Sequence, residues 1–439
     1  HVIGYDIFNE PSRGFIGCDD LGRLDADLRY GVMPTPFQAM LMGSGYSQLV
    51  DIWDITPIGP MRTDGLQIDP AGQTAWQDEQ DCIWRKIGVW DVDEHGQPIL
   101  LKPFHFATKP DGTSADFSRD YLRPFANRYA AAIREVDPSA IIFLEFDAMG
   151  NHPLPQWSEA DADNIVFAPH WYDGLALLSK RYISWLGFNV HNLRPVVGYD
   201  RKRRSFIDQM AMYKQQAYQN FGGVPTVIGE IGIPFDMHNK EAFRSGDFRA
   251  QVRALDDSLQ AVERNLLHAT IWNYTADNNN TRGDLWNDED LSLFSADQQK
   301  DSDDLDSGGR ALQAAVRPYA IAVSGEARQM CFDIDTKVFE FEFMGADTTD
   351  EPTEFFVPNL QYPEGYGVHV SDGYVERDVE QQRLYYWHMG AGGRHIVRIR
   401  PLHPLQPHRP KNTQRYAILA ALSVLMVIVW LSWQQRRKH

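Results

Sequence analysis

The chain is poor in cysteine, with three in 439 residues: Cys18, Cys82 and Cys331. They are few, widely spaced and odd in number. That excludes a disulfide framework and a cysteine-based zinc site, and it suits a reducing compartment. Basic residues are also scarce beside acidic ones, 42 Lys and Arg against 60 Asp and Glu, for a formal net charge of −18. With no basic stripe to displace counterions from a phosphate backbone, nucleic acid is excluded as a partner. Neither an initiating Met nor a signal peptide stands at the start, where the chain opens inside an apolar run. Two Asn-x-Thr sequons occur, at Asn273 and Asn279. The first falls in a strand pattern, so neither argues for secretion.

One long apolar run stands out. "YAILAALSVLMVIVWLSW", residues 416–433, carries no charge and is closed by "QQRRKH". That is the length of a short membrane-spanning helix. So close to the end of the chain, it reads as a single-pass C-terminal anchor that leaves the larger domain in the cytosol. Arg409, Lys411 and Arg415 on one side balance Arg436, Arg437 and Lys438 on the other.

Upstream, strand patterns alternate with helical ones. "HVIGYDIF" reads as a buried strand ended by Pro11, Ser12 and Gly14. A helix is expected over 118–138, strands over 140–148 and 164–173, and a helix over 203–222. A strand over 225–234, a helix over 247–267 and a strand over 268–276 complete the series. Such alternation implies right-handed βαβ crossovers and a parallel sheet. Glu10, His170, Tyr172, Glu230 and Trp272 each stand at the C-terminal end of a strand, where a (β/α)8 TIM barrel builds its site.

The expected fold class is therefore α/β, a TIM barrel over residues 1–315. Five strands are read where a barrel has eight. Roughly three βα units, on the order of 100 residues at ~250 per barrel, are expected in front of His1. An open five-stranded sheet is the alternative. The barrel is interrupted at 16–100 by a long irregular insertion rich in Met, Phe and Trp, read as packing on the barrel or walling the site. Residues 297–309 form an acidic loop. Short alternating strands over 316–402 read as an antiparallel β-sandwich. A Pro-rich basic linker, 403–415, leads to the membrane helix.

Two carboxylates carry the chemistry. Glu10 follows Asn9 at one strand end, and Glu230 sits in the apolar run "VIGEIG". Gly229 and Gly232 would let a bulky ring approach that wall. Paired carboxylates at strand ends are the equipment of glycoside hydrolysis: one protonates the leaving oxygen, while the other attacks the anomeric carbon or activates water. His170 and Tyr172, two apart, share a face of their strand and could orient the acid or bond sugar hydroxyls. Trp272 offers an apolar face to a ring. Metal ligation by His170 with Glu230 finds no second His at ligand spacing, so no metal is expected, and no cofactor.

These motifs together, "NEP", "HWY", "GEIG" and "IWNY", resemble glycoside hydrolase family 5, the cellulase-like clan. "FNEPSRGFIGCDDL", "MPTPFQAMLMGSG" and "WNYTADNNNTRGDLWNDEDLSLFS" resemble its endoglycoceramidase-related fungal branch, which contains glucosylceramidases and steryl-β-glucosidases. The resemblance runs from residue 1 to about residue 400. It does not reach the family's N-terminal half-barrel, whose Arg and His have no match here. It implies Glu10 as acid/base with Asn9 at the sugar 2-hydroxyl, and Glu230 as nucleophile with Tyr172 and His170 around it. Trp272 would lie beneath the glucose. The expected activity is that of a retaining β-glucosidase on a glucosylated membrane lipid, glucosylceramide or a steryl β-glucoside. Two alternatives are an endo-β-1,4-glucanase on soluble glucans and a non-catalytic, membrane-tethered carbohydrate-binding protein.

Overall fold

A computed structural model describes residues 2–405, apart from 27–28, 57–58, 78–80, 148–152, 193, 347–350, 391 and 404. The expected membrane span at 416–433 and most of the linker at 403–415 lie outside the described residues. Among the described residues no helix is long and apolar enough to cross a membrane. The chain divides into two compact units. Among the described residues, one runs to Val166 and takes in Gln219–Gly222; the other comprises Phe167–Tyr218 and the described residues from Gly223 to 405.

The first unit opens with β1 (Gly4–Asp6). The insertion follows, and it is not irregular. Strands β2 (Gly31–Met33), β3 (Gln48–Thr56) and β4 (Gly59–Ile68) form an antiparallel sheet in that order. Between β2 and β3 lies α1 (Pro36–Met42), started by a capping box. The Thr35 hydroxyl accepts from the Gln38 N–H, and the Gln38 side chain accepts from the Thr35 N–H. A short helix, α2 (Ile83–Lys86), precedes the hairpin β5 (Trp90–Val92) and β6 (Pro98–Leu100). The insertion has a core of its own in which Leu21, Met40, Leu41, Val89 and Trp90 bury against Phe15, Trp76 and Trp84. Cys18 and Cys82 are part of that core, and burial pushes the Cys18 thiol up to about 11, which makes it unreactive. Strands β2, β5 and β6 have three residues each and α2 has four, too few to present a period, whereas β3 and β4 run nine and ten.

Helix α3 (Arg123–Arg134) and strands β7 (Ile141–Leu144) and β8 (Ile165–Phe167) complete this unit's βα frame, in a sheet of order β1-β7-β8. β1 runs parallel to β7, with Gly4 opposite Ile141 and Asp6 opposite Phe143. The expectation of a buried first strand is corrected here. Among the described residues β1 lies at the edge of its sheet, Val2 and Ile3 are 72% and 75% exposed, and Ile7 alone of the run is buried.

In the second unit the chain beyond β8 continues extended. It leads to α4 (Gly174–Ser179), whose first amides are accepted by the Asp173 carboxylate. A hairpin of β9 (Leu186–Asn189) and β10 (Arg194–Val197) precedes α5 (Tyr199–Phe221), which buries Lys202, Phe206, Met210 and Ala217 at helical spacing. β11 (Val227–Ile231) follows, then α6 (Met237–Ser245), α7 (Arg249–Arg264) and β12 (His268–Ile271). β12 pairs parallel with β11. Phe167 and His170 also bridge in parallel to Thr226 and Glu230.

After α8 (Leu312–Ala315) come eight strands: β13 (Tyr319–Ala322), β14 (Gly325–Asp333), β15 (Val338–Gly345), β16 (Thr353–Phe356), β17 (Tyr366–Val370), β18 (Tyr374–Asp378), β19 (Arg383–Trp387) and β20 (Arg394–Pro401). They make two four-stranded antiparallel sheets, β13-β16-β19-β18 and β14-β15-β20-β17. β15 shows why. In "FEFEF", Phe339, Phe341 and Phe343 are buried while Glu340 and Glu342 face out and pair with Arg398 and Arg394 of β20. From the other sheet, Phe355 meets Phe341 edge to face at 5.3 Å.

Helix α7 is buried nearly all round, carboxylates included. Asp256 pairs with Arg203 (3.2 Å) and Arg317 (2.7 Å), while Glu263 takes Arg317 through two bonds of 2.6 and 2.9 Å. Asp257 accepts from the Tyr182 hydroxyl at 3.0 Å and faces Lys202 and Arg203 at 3.6 and 3.5 Å. Burial pushes its carboxyl up to about 6, against the opposing pull of Arg203 and Lys202. Removing one member of such a set leaves buried charge unanswered. Arg317→Ala is expected to cost about 3–5 kcal/mol of stability. Denaturant unfolding of the variant checks this, and a loss under 1 kcal/mol would contradict it.

Candidate active site

Glu230 is the fourth residue of β11, in a strand whose other members are apolar or glycine. Its side chain is 13% exposed and that of His170 is 5% exposed. The Tyr172 hydroxyl donates to Glu230 Oε2 at 2.6 Å. His170 Nδ1 lies 3.4 Å from the same oxygen. The extended chain beyond β8 thus brings the two residues read as sharing a face onto one carboxylate oxygen. Register enforces this: the Trp171 N–H donates to the Glu230 carbonyl at 2.9 Å, and the Gly229 N–H donates to the Pro169 carbonyl at 2.9 Å. Behind them, the Tyr213 hydroxyl donates to the His170 carbonyl at 3.2 Å.

The glycines beside Glu230 have a different purpose from the one expected. A Cβ on Gly229 would stand 3.0 Å from His170 Cδ2 and 3.1 Å from the Ala168 carbonyl oxygen. The ring that lies against Gly229 is the imidazole of His170, and at Gly232 the Trp272 carbonyl fills the equivalent space. Trp272 itself is half-buried, and its N–H donates to the Ile231 carbonyl at 3.0 Å.

Glu10 and Asn9 belong to the first unit, just past the end of β1, and both are exposed. Glu10 has a φ of 44°, the left-handed region, which a non-glycine residue occupies at a cost and which recurs at functional positions. The sequence reading passed over Glu145. It is 1% exposed and directly follows β7 in "IIFLEF", so it too is a carboxylate at a strand end in an apolar run. The pattern that singled out Glu230 would have found it. Asp173 was also passed over. It follows Tyr172, caps α4 and pairs with the buried Lys202 at 3.2 Å, which fixes the backbone that carries Tyr172.

Residues 317–399 match the glycoside hydrolase family 5 C-terminal domain. The chain is 32% identical to a glucosylceramidase of Rhizopus delemar over 387 residues, covering 82% of this chain and 56% of that protein. An ergosteryl-beta-glucosidase of Saccharomyces cerevisiae is 27% identical, with coverage of 88% and 62%. Among solved structures, sterylglucosidase 1 of Cryptococcus neoformans with tris superposes with a TM-score of 0.84 at 30% identity, over 92% of this chain and 64% of that one. Residues 317–399 thus carry the C-terminal domain of glycoside hydrolase family 5, and the chain as a whole is similar to these glucosidases. It spans little more than half the length of the Rhizopus delemar relative.

Glu230 is an acid with two side chains, Tyr172 and His170, on one oxygen, and the Gly229 gap sets one of them. Gly229→Ala is expected to drive the His170 ring off Glu230 and to cost about 1–3 kcal/mol of stability. A crystal structure and a denaturation curve of the variant check both. An unmoved ring at wild-type stability would refute the account.

Proposed function

We propose that this chain carries the catalytic carboxylates of a retaining β-glucosidase that removes glucose from a membrane lipid, a glucosylceramide or a steryl β-glucoside. The observation that carries the reading is Glu230, nearly buried, with the Tyr172 hydroxyl at 2.6 Å and His170 at 3.4 Å on one oxygen. A nucleophilic carboxylate needs to be held and oriented in this way. In the proposed reaction Glu10 protonates the glycosidic oxygen as the Glu230 carboxylate attacks the anomeric carbon, releasing the lipid alcohol and leaving a glucosyl ester on Glu230. Glu10, now a carboxylate, takes a proton from water, whose oxygen displaces Glu230 and frees glucose. Retention by this route needs the two carboxyls about 5 Å apart. Asn9 would meet the sugar 2-hydroxyl and Trp272 its apolar face. The proposed scaffold is a (β/α)8 barrel.

The lipid aglycone is supported by the names of the relatives, glucosylceramidase and ergosteryl-beta-glucosidase. Support also comes from exposed Leu49, Met61 and Leu66 on the insertion, and from the apolar run at 416–433. Membrane attachment through that run, with the catalytic part in the cytosol, belongs to the same proposal.

Turnover of a fluorescent glucosylceramide and of a steryl glucoside by the full-length protein tests it. Glu230→Gln should lower kcat on the order of 10⁴-fold or more. Glu10→Gln should lower it about 10²–10⁴-fold, with most of the loss absent for an aryl glucoside whose leaving group needs no proton. Tyr172→Phe removes a hydrogen bond to a charged group, worth about ten- to a hundredfold in kcat. Near-wild-type turnover by Glu230→Gln would sink the assignment.

A further inference from the structure

Two histidines of the β-sandwich meet beside the end of β15. His388 follows β19 and His395 lies in β20, with ring centroids 4.3 Å apart at 45°. His395 is 2% exposed, and its Nδ1 lies 2.8 Å from Asp372 Oδ2. The other oxygen of Asp372 accepts from the Tyr386 hydroxyl at 3.0 Å and the Met389 N–H at 2.7 Å, so the carboxylate is held in place. An ionised carboxylate only accepts. Nδ1 of His395 therefore carries a proton, and in the neutral ring Nε2 is the nitrogen left with a lone pair.

That Nε2 is buried and has no hydrogen-bond partner among the described residues. Nor is it alone in facing this spot. A Cβ on Gly345 would stand 2.6 Å from His388 Nε2 and 2.8 Å from His395 Nε2, so both nitrogens converge on ground that only a glycine leaves open.

We propose that His388 and His395 form a two-histidine site for a divalent transition-metal ion of the Zn²⁺ class, with Asp372 orienting His395. A single ion meets both Nε2 atoms at once when each ring carries its proton on Nδ1. Imidazole nitrogen selects Zn²⁺, Cu²⁺ or Ni²⁺ over Mg²⁺ or Ca²⁺. His388 is half-buried, so water can fill the remaining coordination positions. Asp372 is the carboxylate that commonly backs a metal-bound histidine, fixing its tautomer and raising its basicity. Nothing in this site draws on Glu230, and the inference stands whether or not the glycosidase reading does.

Titration of chelator-stripped full-length protein with Zn²⁺ against a chromophoric chelator tests the proposal. The expected result is one saturable Zn²⁺ that excess Mg²⁺ does not displace. It should be weakened at least tenfold in His388→Gln and about ten- to a hundredfold in Asp372→Asn. The half-buried His388 makes its substitution the safer one for the fold. Melting without metal should be unchanged in that variant, whereas the Zn²⁺-dependent rise of the wild-type melting temperature should be lost. Zn²⁺ held elsewhere, for instance by His170 and Glu230, would bind both variants as tightly as the wild type. That result, or no saturable binding at all, overturns the proposal.

Discussion

Three carboxylates on one buried helix set the terms for the second unit. α7 carries Asp256, Asp257 and Glu263 inside, where an unpaired charge is costly, and each is answered from another element. Lys202 and Arg203 come from α5, and Arg317 comes from just before β13. α7 therefore cannot shift without breaking charge pairs to both the βα segment and the sandwich. Apolar packing follows the same lines. One contiguous core holds Leu255 and Leu259 of α7, Ile228 and Ile231 of β11, and Phe332, Phe339 and Phe341 of the sandwich.

The candidate site inherits this rigidity. Ile228 and Ile231, on either side of Glu230, are both fully buried in that core. Lys202, besides facing Asp257, pairs with Asp173, the residue after Tyr172. One buried ammonium thus ties the α7 network to the backbone that aims a hydroxyl at Glu230. Such anchoring holds the hydrogen bond in place without reorganisation during a reaction, which is where preorganised polar groups gain their effect.

Much of this could be read from residues alone where one local pattern sufficed. "VIGEIG" placed Glu230 in a strand, "HWY" put two side chains on one face, and "FEFEF" announced a half-buried strand; each depends only on the period of two. What could not be read was anything decided by a distant partner. Nothing near residue 317 says that Arg317 answers Asp256 and Glu263, more than fifty positions earlier. The insertion's core is built from short elements separated by turns, so no period accumulates. β1 carries strand-forming residues, but whether Val2 and Ile3 just before it are buried depends on what packs against them, which residue types do not encode. Gly229 was legible as a gap and misread in its purpose, because the ring that fills it comes from a residue nearly sixty positions away.

Arg317 also shows why the sandwich should not be regarded as an appendage. Its guanidinium lies over the Phe332 ring at 5.0 Å and donates to the Phe332 carbonyl, while the Phe332 N–H turns to Glu263. Phe332 is itself fully buried. The first strands of the sandwich thus supply both an apolar surface and hydrogen-bond partners that α7 requires. Removing Arg317 would leave Asp256 with Arg203 and take from Glu263 its two-bond partner, at the roughly 3–5 kcal/mol cost of breaking a buried pair. The sandwich is then part of the foundation of β11, and substitutions that loosen it should reach Glu230 through α7, not through any contact with substrate.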